Sequence, residues 1–407
     1  MFRQFERKKT MNNNYNYPAA EEKGAAYAAF VNAPPPPTDP YTEFKKKAAQ
    51  SYNRTGGALL IHYGIVNIVQ IIVVIAASVI FSIRGYSQQE VVKEIQGLFV
   101  LLTAASLSYL IANPAGTVIG LAFTGRLKEF GGMFGKPRLS VGIFTAGIFA
   151  ITAIQNICGY IQQIISTLID SSGTEGTIIG QIEFTDDHTL NIMIVLYVVV
   201  FGPVLEELLF RGMVLKNLCC TDVRFGIIMS SVFFGLFHGN IMQFVIAFVI
   251  GVFMSYMDIQ AGSIIPSIVY HVINNGMAAI IMYLQYAAPD SVETFGTVYL
   301  IISLVFGIAG MVYIYRKLGK PSPDADNPYT PICNVPAGYT ENHTWKLAFK
   351  TPCIIIYTVI TVIMLIYSMF PSAEALPEEN SISPESSVTT EITEEQAAAA
   401  LAWAFDK

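Results

Sequence analysis

The sequence predicts an all-helical, polytopic membrane protein with about nine transmembrane helices. Hydrophobic residues make up 53% of its 407 residues, and only 13% are charged. A soluble globular protein carries roughly a quarter charged residues, so this composition is outside the soluble class. Long apolar runs separated by polar connections also predict transmembrane helices, because about 20 helical residues cross a bilayer core of about 30 Å.

Nine apolar segments are candidate transmembrane helices. They cover residues 58–83, 95–124, 139–168, 190–218, 225–238, 241–258, 263–286, 297–315 and 352–370. Most of them are long enough to cross a bilayer, whereas the fifth is short and needs support from its neighbours. Pro114, Pro203 and Pro266 fall within or beside helical runs, where packing between helices can satisfy the hydrogen bonds that proline removes.

Lysine and arginine are distributed unevenly between the connections. Basic residues precede the first segment and follow the second, fourth and eighth. The connections after the third and seventh segments, and residues 371–406, contain acidic residues but no lysine or arginine. Because basic connections stay in the cytoplasm, we expect a multi-pass protein of the cell membrane with a cytoplasmic N-terminus and an external C-terminal tail.

Composition divides the chain into five parts. They are a disordered cytoplasmic segment (1–55), N-terminal transmembrane helices (56–186), a core with polar motifs (187–290), C-terminal transmembrane helices with a cytoplasmic loop (291–370), and an acidic disordered tail (371–407). The five cysteines show no CxxC pair or metal-ligand spacing, so neither a disulfide framework nor a cysteine-built metal site is expected. His62 and His188 lie near the ends of predicted spans and are expected at the membrane interface.

Three ionisable side chains interrupt the middle of the fourth apolar segment, ahead of Lys216 near its end. They are Glu206, Glu207 and Arg211. A charge at the centre of a bilayer costs about 3 kcal/mol or more, so ionisable residues at that depth indicate a functional site. Because Glu207 and Arg211 are four residues apart, they share a helix face and can pair. Glu206 is turned by about 100° from Glu207 and is left free of the arginine.

Polar residues of two later segments reach a similar depth. Phe234 and His238 share one face of the fifth segment, and His271 and Asn275 share one face of the seventh. At about 1.5 Å per residue, Glu206, His238 and His271 each lie roughly 15–21 Å from a predicted cytoplasmic end. The two carboxylates, the two imidazoles and the Asn275 carboxamide are therefore expected to meet in one buried, water-accessible pocket. Phe234 is expected to serve packing.

These residue types suit the hydrolysis of an acyl bond. A carboxylate and an imidazole that converge on one water molecule can deprotonate it for attack on a carbonyl. An imidazole beside an asparagine amide provides two donors for the developing oxyanion. No serine or cysteine nucleophile is needed.

The three motifs together resemble the CPBP family of intramembrane proteases. They are EExxxR at Glu206, Glu207 and Arg211, FxxxH at Phe234 and His238, and HxxxN at His271 and Asn275. The family includes type II CAAX prenyl proteases and bacteriocin-processing enzymes, and its domain is also called abortive infection or lysostaphin resistance protein A-like. The resemblance covers about 190–286 and makes residues 187–290 the expected catalytic core.

The resemblance implies an all-helical membrane peptidase. In such an enzyme Glu206 and His238 activate the hydrolytic water, and His271 and Asn275 stabilise the oxyanion. The ion pair of the first motif organises the site. The expected substrate is a peptide or protein with a hydrophobic or lipid-attached segment, cleaved near the cytoplasmic face.

No cofactor is expected, although the family has been called a metalloprotease family. Two histidines and a glutamate can bind zinc, so Glu206, His238 and His271 are the candidate ligands, but their spacing is not HExxH. Membrane lipids are the other expected partners. The basic residues line the membrane edge and do not form a nucleic-acid-binding face.

Other interpretations of the polar residues stay open at this point. Glu207 and Arg211 can form a purely structural ion pair, and His271 and Asn275 can join helices by hydrogen bonds. Intramembrane carboxylates and imidazoles also build proton relays, so a proton-coupled transporter is the alternative function. No second copy of the polar set is found, whereas transporters usually contain repeats. A catalytically silent scaffold or immunity protein is a third possibility.

Overall fold

The structure is a computed structural model that describes residues 40–168, 184–333 and 342–368. The chain divides into two compact units, Met1–Glu43 and Phe44–Lys407. Only residues 40–43 of the first unit are described. The predicted acidic tail, 371–407, lies outside the described residues.

The described residues form helices and connections, with no β-strand among them. The helices are α1 (Pro40–Ile83), α2 (Gln88–Ile95), α3 (Leu98–Thr124), α4 (Val141–Leu168), α5 (His188–Leu218), α6 (Val223–Phe237), α7 (Ile241–Ala261), α8 (Ile265–Ala287), α9 (Pro289–Lys317), α10 (Asn342–Ala348) and α11 (Pro352–Tyr367). Two short 3₁₀ turns, Leu127–Glu129 and Gly131–Phe134, connect α3 to α4.

Each of the nine predicted apolar segments is a helix in the structure, which confirms the fold class. In the described part of the chain, seven helices are long and apolar enough to cross a membrane: α1, α3, α4, α5, α7, α8 and α9. The other two apolar helices, α6 and α11, have 15 and 16 residues. A 15-residue helix is about 22 Å long, so α6 ends before it has crossed a bilayer core.

The connections after the second, fourth, sixth and eighth predicted spans lie at one end of the helices. Buried residues within or directly beside these connections belong to a single hydrophobic cluster; they are Met133, Cys219, Ile264 and Tyr329. Alternate connections share an end when successive helices run in opposite directions, as the nine-span prediction requires. We call this end the basic end, because three of these four connections carry lysine or arginine.

A buried ionic cluster holds the loop after α9 at the basic end. Arg126 donates to the carbonyls of Lys216 and Pro328 at 2.6 and 3.0 Å, and to Glu129 Oε2 at 3.1 Å. Lys216 Nζ lies 2.9 Å from the same carboxylate and donates to the Pro328 carbonyl at 3.0 Å. Glu129 is therefore the counter-charge for two buried cations.

Helix α1 begins at Pro40, so the prediction of disorder over residues 1–55 is wrong for residues 40–55. Phe44, Ala48 and Tyr52 recur every fourth residue and are buried. The Tyr52 hydroxyl lies 2.5 Å from the hydroxyl of Thr221. An apolar stripe at helical spacing can pack even when basic residues stand between its members, and composition alone does not reveal that stripe.

His62 is also placed differently from its prediction. It is buried within α1, where its Nε2 lies 2.5 Å from Asn113 Oδ1 of α3. Gly116 permits this approach, because a Cβ at that position would meet the His62 side chain at 3.0 Å. The interfacial prediction is wrong because α1 extends well beyond His62 in both directions. His188 is exposed at the first residue of α5.

Replacing Glu129 with glutamine tests the ionic cluster. We expect the free energy of unfolding to fall by about 1–2 kcal/mol, because two buried cations lose their counter-charge while water reaches the half-exposed position. Thermal unfolding of the detergent-solubilised protein measures this change. Glu94→Gln, at an exposed position of α2, is the matched control and should leave stability unchanged.

The effect of Glu129 should depend on pH. Burial raises the pKa of Glu129, but hydrogen bonds and charges from Lys216 and Arg126 outweigh burial, so its pKa lies below the ordinary value. A carboxyl with a depressed pKa stabilises the fold above its unfolded pKa, and that contribution is lost as the pH falls through the folded pKa. The stability difference between wild type and E129Q should therefore be full at pH 7 and shrink below about pH 4. A constant difference down to about pH 3 would contradict this assignment.

Candidate active site

Helix α5 is widened on both sides of its two glutamates. The two wide turns are π-helical and span Leu196–Phe201 and Phe210–Leu215. Pro203 accounts for the first, because proline has no N–H to continue the α-helical ladder. Gly202 instead donates to the carbonyl of Tyr197, five residues back. Such turns inside α-helices are frequent at functional sites.

Pro203 also determines the contact of Asn275. In the π-helical register the carbonyl of Val198 would accept from residue 203, which has no N–H. Asn275 Nδ2 of α8 donates to this carbonyl at 2.9 Å. Asn275 therefore joins α8 to α5, which is one of the alternatives that the sequence leaves open. A carboxamide has two N–H donors, so one of them can still serve a ligand.

Glu207 is fully buried and binds two partners through one oxygen. Its Oε1 accepts from Arg211 Nη1 at 2.9 Å and from His271 Nδ1 at 2.8 Å. The ion pair predicted from the four-residue spacing is therefore present. The Arg211 guanidinium lies 4.3 Å from the centroid of the Phe234 ring, which adds a cation–π contact.

Glu206 approaches the opposite edge of the same imidazole. Its Oε2 lies 3.9 Å from His271 Nε2. Because Glu207 accepts the Nδ1–H of His271, the second nitrogen of the ring is directed toward Glu206. The two adjacent glutamates thus contact two different edges of one histidine.

His238 follows the last residue of α6. Its Nδ1 lies 2.8 Å from the carbonyl of Phe234. A carbonyl can only accept, so Nδ1 carries the hydrogen, and Nε2 of the neutral ring has a free lone pair. Gly239 comes next with φ of 64°, a conformation that glycine adopts without strain, and it turns the chain toward α7.

Phe234 lies between the two imidazoles. Its ring centroid is 5.0 Å from that of His238 and 5.9 Å from that of His271. Within the described residues, no hydrogen bond or ion pair joins Glu206 to His238. The two glutamates and the two imidazoles are therefore held by α5, α6 and α8, with the Phe234 ring in contact with both imidazoles and His271 nearest to the glutamates.

Two tyrosines that the sequence analysis did not identify lie beside Glu206. The side chains of Tyr109 of α3 and Tyr197 of α5 contact each other and interact electrostatically with Glu206. Their rings meet edge to face at 5.8 Å. Both hydroxyls are potential hydrogen-bond donors to a bound substrate. Nothing in the sequence distinguishes Tyr109 from the other tyrosines in or near predicted spans.

Asp258 is a further carboxyl close to the site. It belongs to α7, is fully buried, and interacts electrostatically with Glu207 and Arg211. Its Oδ1 accepts from the backbone N–H of Ser267 at 3.0 Å. The sequence contained a signal for it, an aspartate within an apolar run, but the predicted segment ended at this residue.

The candidate zinc ligands do not form a three-ligand site. Glu206 Oε2 and His271 Nε2 are close enough to reach one ion, since zinc lies about 2.0–2.2 Å from such ligands. However, in the described part of the chain no group of three His, Cys, Asp or Glu side chains is arranged to hold a metal. His238 does not complete the set, so no chemical step is assigned to zinc.

The comparison with known families agrees with the motifs. Residues 188–277 match the family model described as type II CAAX prenyl endopeptidase Rce1-like. The chain carries a CPBP-family domain. The match runs from the start of α5 into α8, so it contains every residue of the three motifs. No curated protein and no solved structure matches the chain.

A double-mutant cycle tests the buried ion pair of this CPBP domain. We expect Glu207→Gln and Arg211→Met each to lower the free energy of unfolding by about 3 kcal/mol or more, because each leaves a buried group without its partner. The double variant should recover much of the loss, since no unpaired charge remains. Unfolding of the three variants in detergent measures the coupling. Additive losses would contradict a direct pair.

Proposed function

We propose that the protein is an intramembrane endopeptidase in which Glu206 and His238 activate a water molecule for attack on a peptide carbonyl. The observation that carries this proposal is the arrangement of the two glutamates about His271. Glu207 is paired with Arg211 and fixes the ring, whereas Glu206 faces its other edge. The CPBP domain supports a protease of the CAAX type.

The two proposed bases have complementary roles. His238 donates its Nδ1–H to the Phe234 carbonyl, so Nε2 is the nitrogen available to a water molecule. Glu206 accepts a proton from the water molecule while the water oxygen bonds to the carbonyl carbon. When the tetrahedral intermediate collapses, the C–N bond breaks and the proton passes to the leaving amine. No covalent enzyme intermediate is required.

The oxyanion has several potential donors. His271 donates from Nε2 when the ring is doubly protonated, while its Nδ1–H stays on Glu207. Asn275 offers the amide hydrogen that is not used by Val198. The hydroxyls of Tyr109 and Tyr197 are further candidates beside Glu206. Donors held in place before the reaction stabilise charge without further reorganisation.

The substrate is expected to enter from the membrane. We propose a peptide or protein with a hydrophobic or lipid-attached segment, cleaved on the cytoplasmic side. The grouping of basic connections at one end supports a cytoplasmic basic end, and with it a cytoplasmic N-terminus and an external C-terminal tail. Glu206 precedes Lys216 of that end by about 15 Å of helix.

Substitution of the two proposed bases tests the function. The purified protein in liposomes would be given a farnesylated CAAX reporter peptide and, in parallel, a hydrophobic peptide without the lipid. We expect Glu206→Gln and His238→Ala to lower kcat by at least about 10²-fold, because general acid–base catalysis is lost. His188→Ala, at an exposed histidine of the same domain, is the matched control and should cleave like wild type.

The possible results separate the competing functions. Unchanged cleavage by E206Q would overturn the mechanism. Absence of cleavage of either peptide, combined with pH-driven flux across the liposome membrane, would favour the transporter. Thermal unfolding of each variant must match wild type for a loss of rate to count as chemistry.

Metal chelation tests whether cleavage requires a metal ion. We expect cleavage to continue at the wild-type rate in the presence of 1,10-phenanthroline, because the proposed base and donors are protein groups. Loss of activity that zinc restores would contradict this prediction. It would favour the zinc alternative, with Glu206, His238 and His271 as ligands.

A further inference from the structure

The first turn of α8 depends on a residue from another helix. The first four N–H groups of a helix have no partner within it and are usually satisfied by a side chain at the N-cap. The N-cap of α8 is Ile264, which has no polar side chain and makes no such bond. The backbone N–H of Ser267 donates instead to Asp258 of α7, at 3.0 Å.

The remaining N–H groups of this turn have their own partners. Ile265 donates to the Ser263 hydroxyl at 3.2 Å, Pro266 has no N–H, and Ile268 donates to the Ile264 carbonyl at 3.2 Å. Asp258 therefore supplies the one acceptor that the local sequence lacks. Without it, a backbone N–H would be buried and unsatisfied, which is costly at membrane depth.

This turn is one helical turn away from the proposed oxyanion donors. Ser267 precedes His271 by four residues, or about 6 Å along the helix axis. The Ser267 hydroxyl donates to the Ile264 carbonyl at 3.0 Å, within the same turn, and Asp258 interacts electrostatically with Glu207 and Arg211. The cap and the site are thus parts of one buried network, which connects α5, α7 and α8.

We propose that Asp258 is a positioning residue of the site. By capping α8 from α7, it fixes the height and rotation at which His271 meets Glu207. This inference rests on the proposed function. A cap supplied by residue 264 itself would satisfy the turn locally, but it would not tie α8 to α7. The required property is the acceptor oxygen, because the other carboxyl oxygen, Oδ2, makes no hydrogen bond within the described residues.

Two substitutions of Asp258 separate the acceptor from the charge. Asp258→Asn keeps an oxygen that can accept from Ser267, whereas Asp258→Ala removes it. We expect D258A to lower kcat by about 10–100-fold with KM changed by less than about threefold, because a displacement of about 1 Å at reacting groups costs up to about 10² in rate. D258N should cleave at a rate within about threefold of wild type.

Asp222→Ala is the matched control. Asp222 caps α6 by accepting from the Arg224 N–H at 2.8 Å, but it lies at the opposite end of that helix from His238. We expect D222A to lower the melting temperature as much as D258A does while leaving kcat unchanged. The proposal would be overturned if D222A and D258A lowered both the melting temperature and kcat to the same extent. Loss of kcat in D258N as large as in D258A would also overturn it.

Hydrogen exchange provides a test that does not need activity. In nanodiscs, the peptide covering residues 263–275 should exchange faster in D258A than in wild type, and at the wild-type rate in D258N and D222A. Unchanged exchange in D258A would overturn the capping role, whatever the kinetics show. If the wild-type protein cleaves neither reporter peptide while residues 263–275 exchange faster in D258A, the proposed function fails but the capping role of Asp258 stands.

Discussion

The buried ion pair between Glu207 and Arg211 is the interaction on which the site depends. A guanidinium inside a membrane protein needs a partner, because an unpaired buried charge costs several kcal/mol. Here it has a carboxylate on one side and the Phe234 ring on the other. The same carboxylate oxygen holds His271 Nδ1, so the pair that neutralises the arginine also orients the imidazole. Glu207 Oε1 therefore both neutralises a buried charge and orients the imidazole of the site.

Departures from regular helix geometry place several polar groups of the site. Helix α5 widens before Pro203, and the carbonyl that this proline leaves without a partner becomes the acceptor for Asn275. Helix α6 stops after 15 residues, so His238 lies at an internal turn and not at the far end of a full crossing. The start of α8 takes its cap from Asp258. The first and third departures each leave a backbone group that a residue from a neighbouring helix satisfies, Asn275 at the Val198 carbonyl and Asp258 at the Ser267 N–H.

The CPBP domain contains the motifs, but it does not contain every group around them. Tyr109, beside Glu206, comes from α3, and the loop after α9 packs Tyr329 into the hydrophobic cluster at the basic end. Arg126, also outside the matched segment, joins that loop to Lys216 at the end of α5. Residues outside the matched segment therefore place Tyr109 beside Glu206 and pack the basic end of α5, and a motif search does not detect these contacts.

Composition and periodicity were enough to predict the helical membrane fold, the short fifth segment (helix α6) and the Glu207–Arg211 pair, because these depend on neighbours within a few residues of the chain. The same reasoning failed for residues 40–55 and for His62, where packing between distant segments outweighed local polarity. The contacts of His271 with two glutamates, the bond from Asn275 to α5 and the cap from Asp258 depend on helix rotation and tilt. A π-helical turn contains about one residue more than an α-helical turn, so the residues after it face a different direction from the one that 100° per residue predicts. That direction is determined by packing between helices, which the sequence pattern does not reveal.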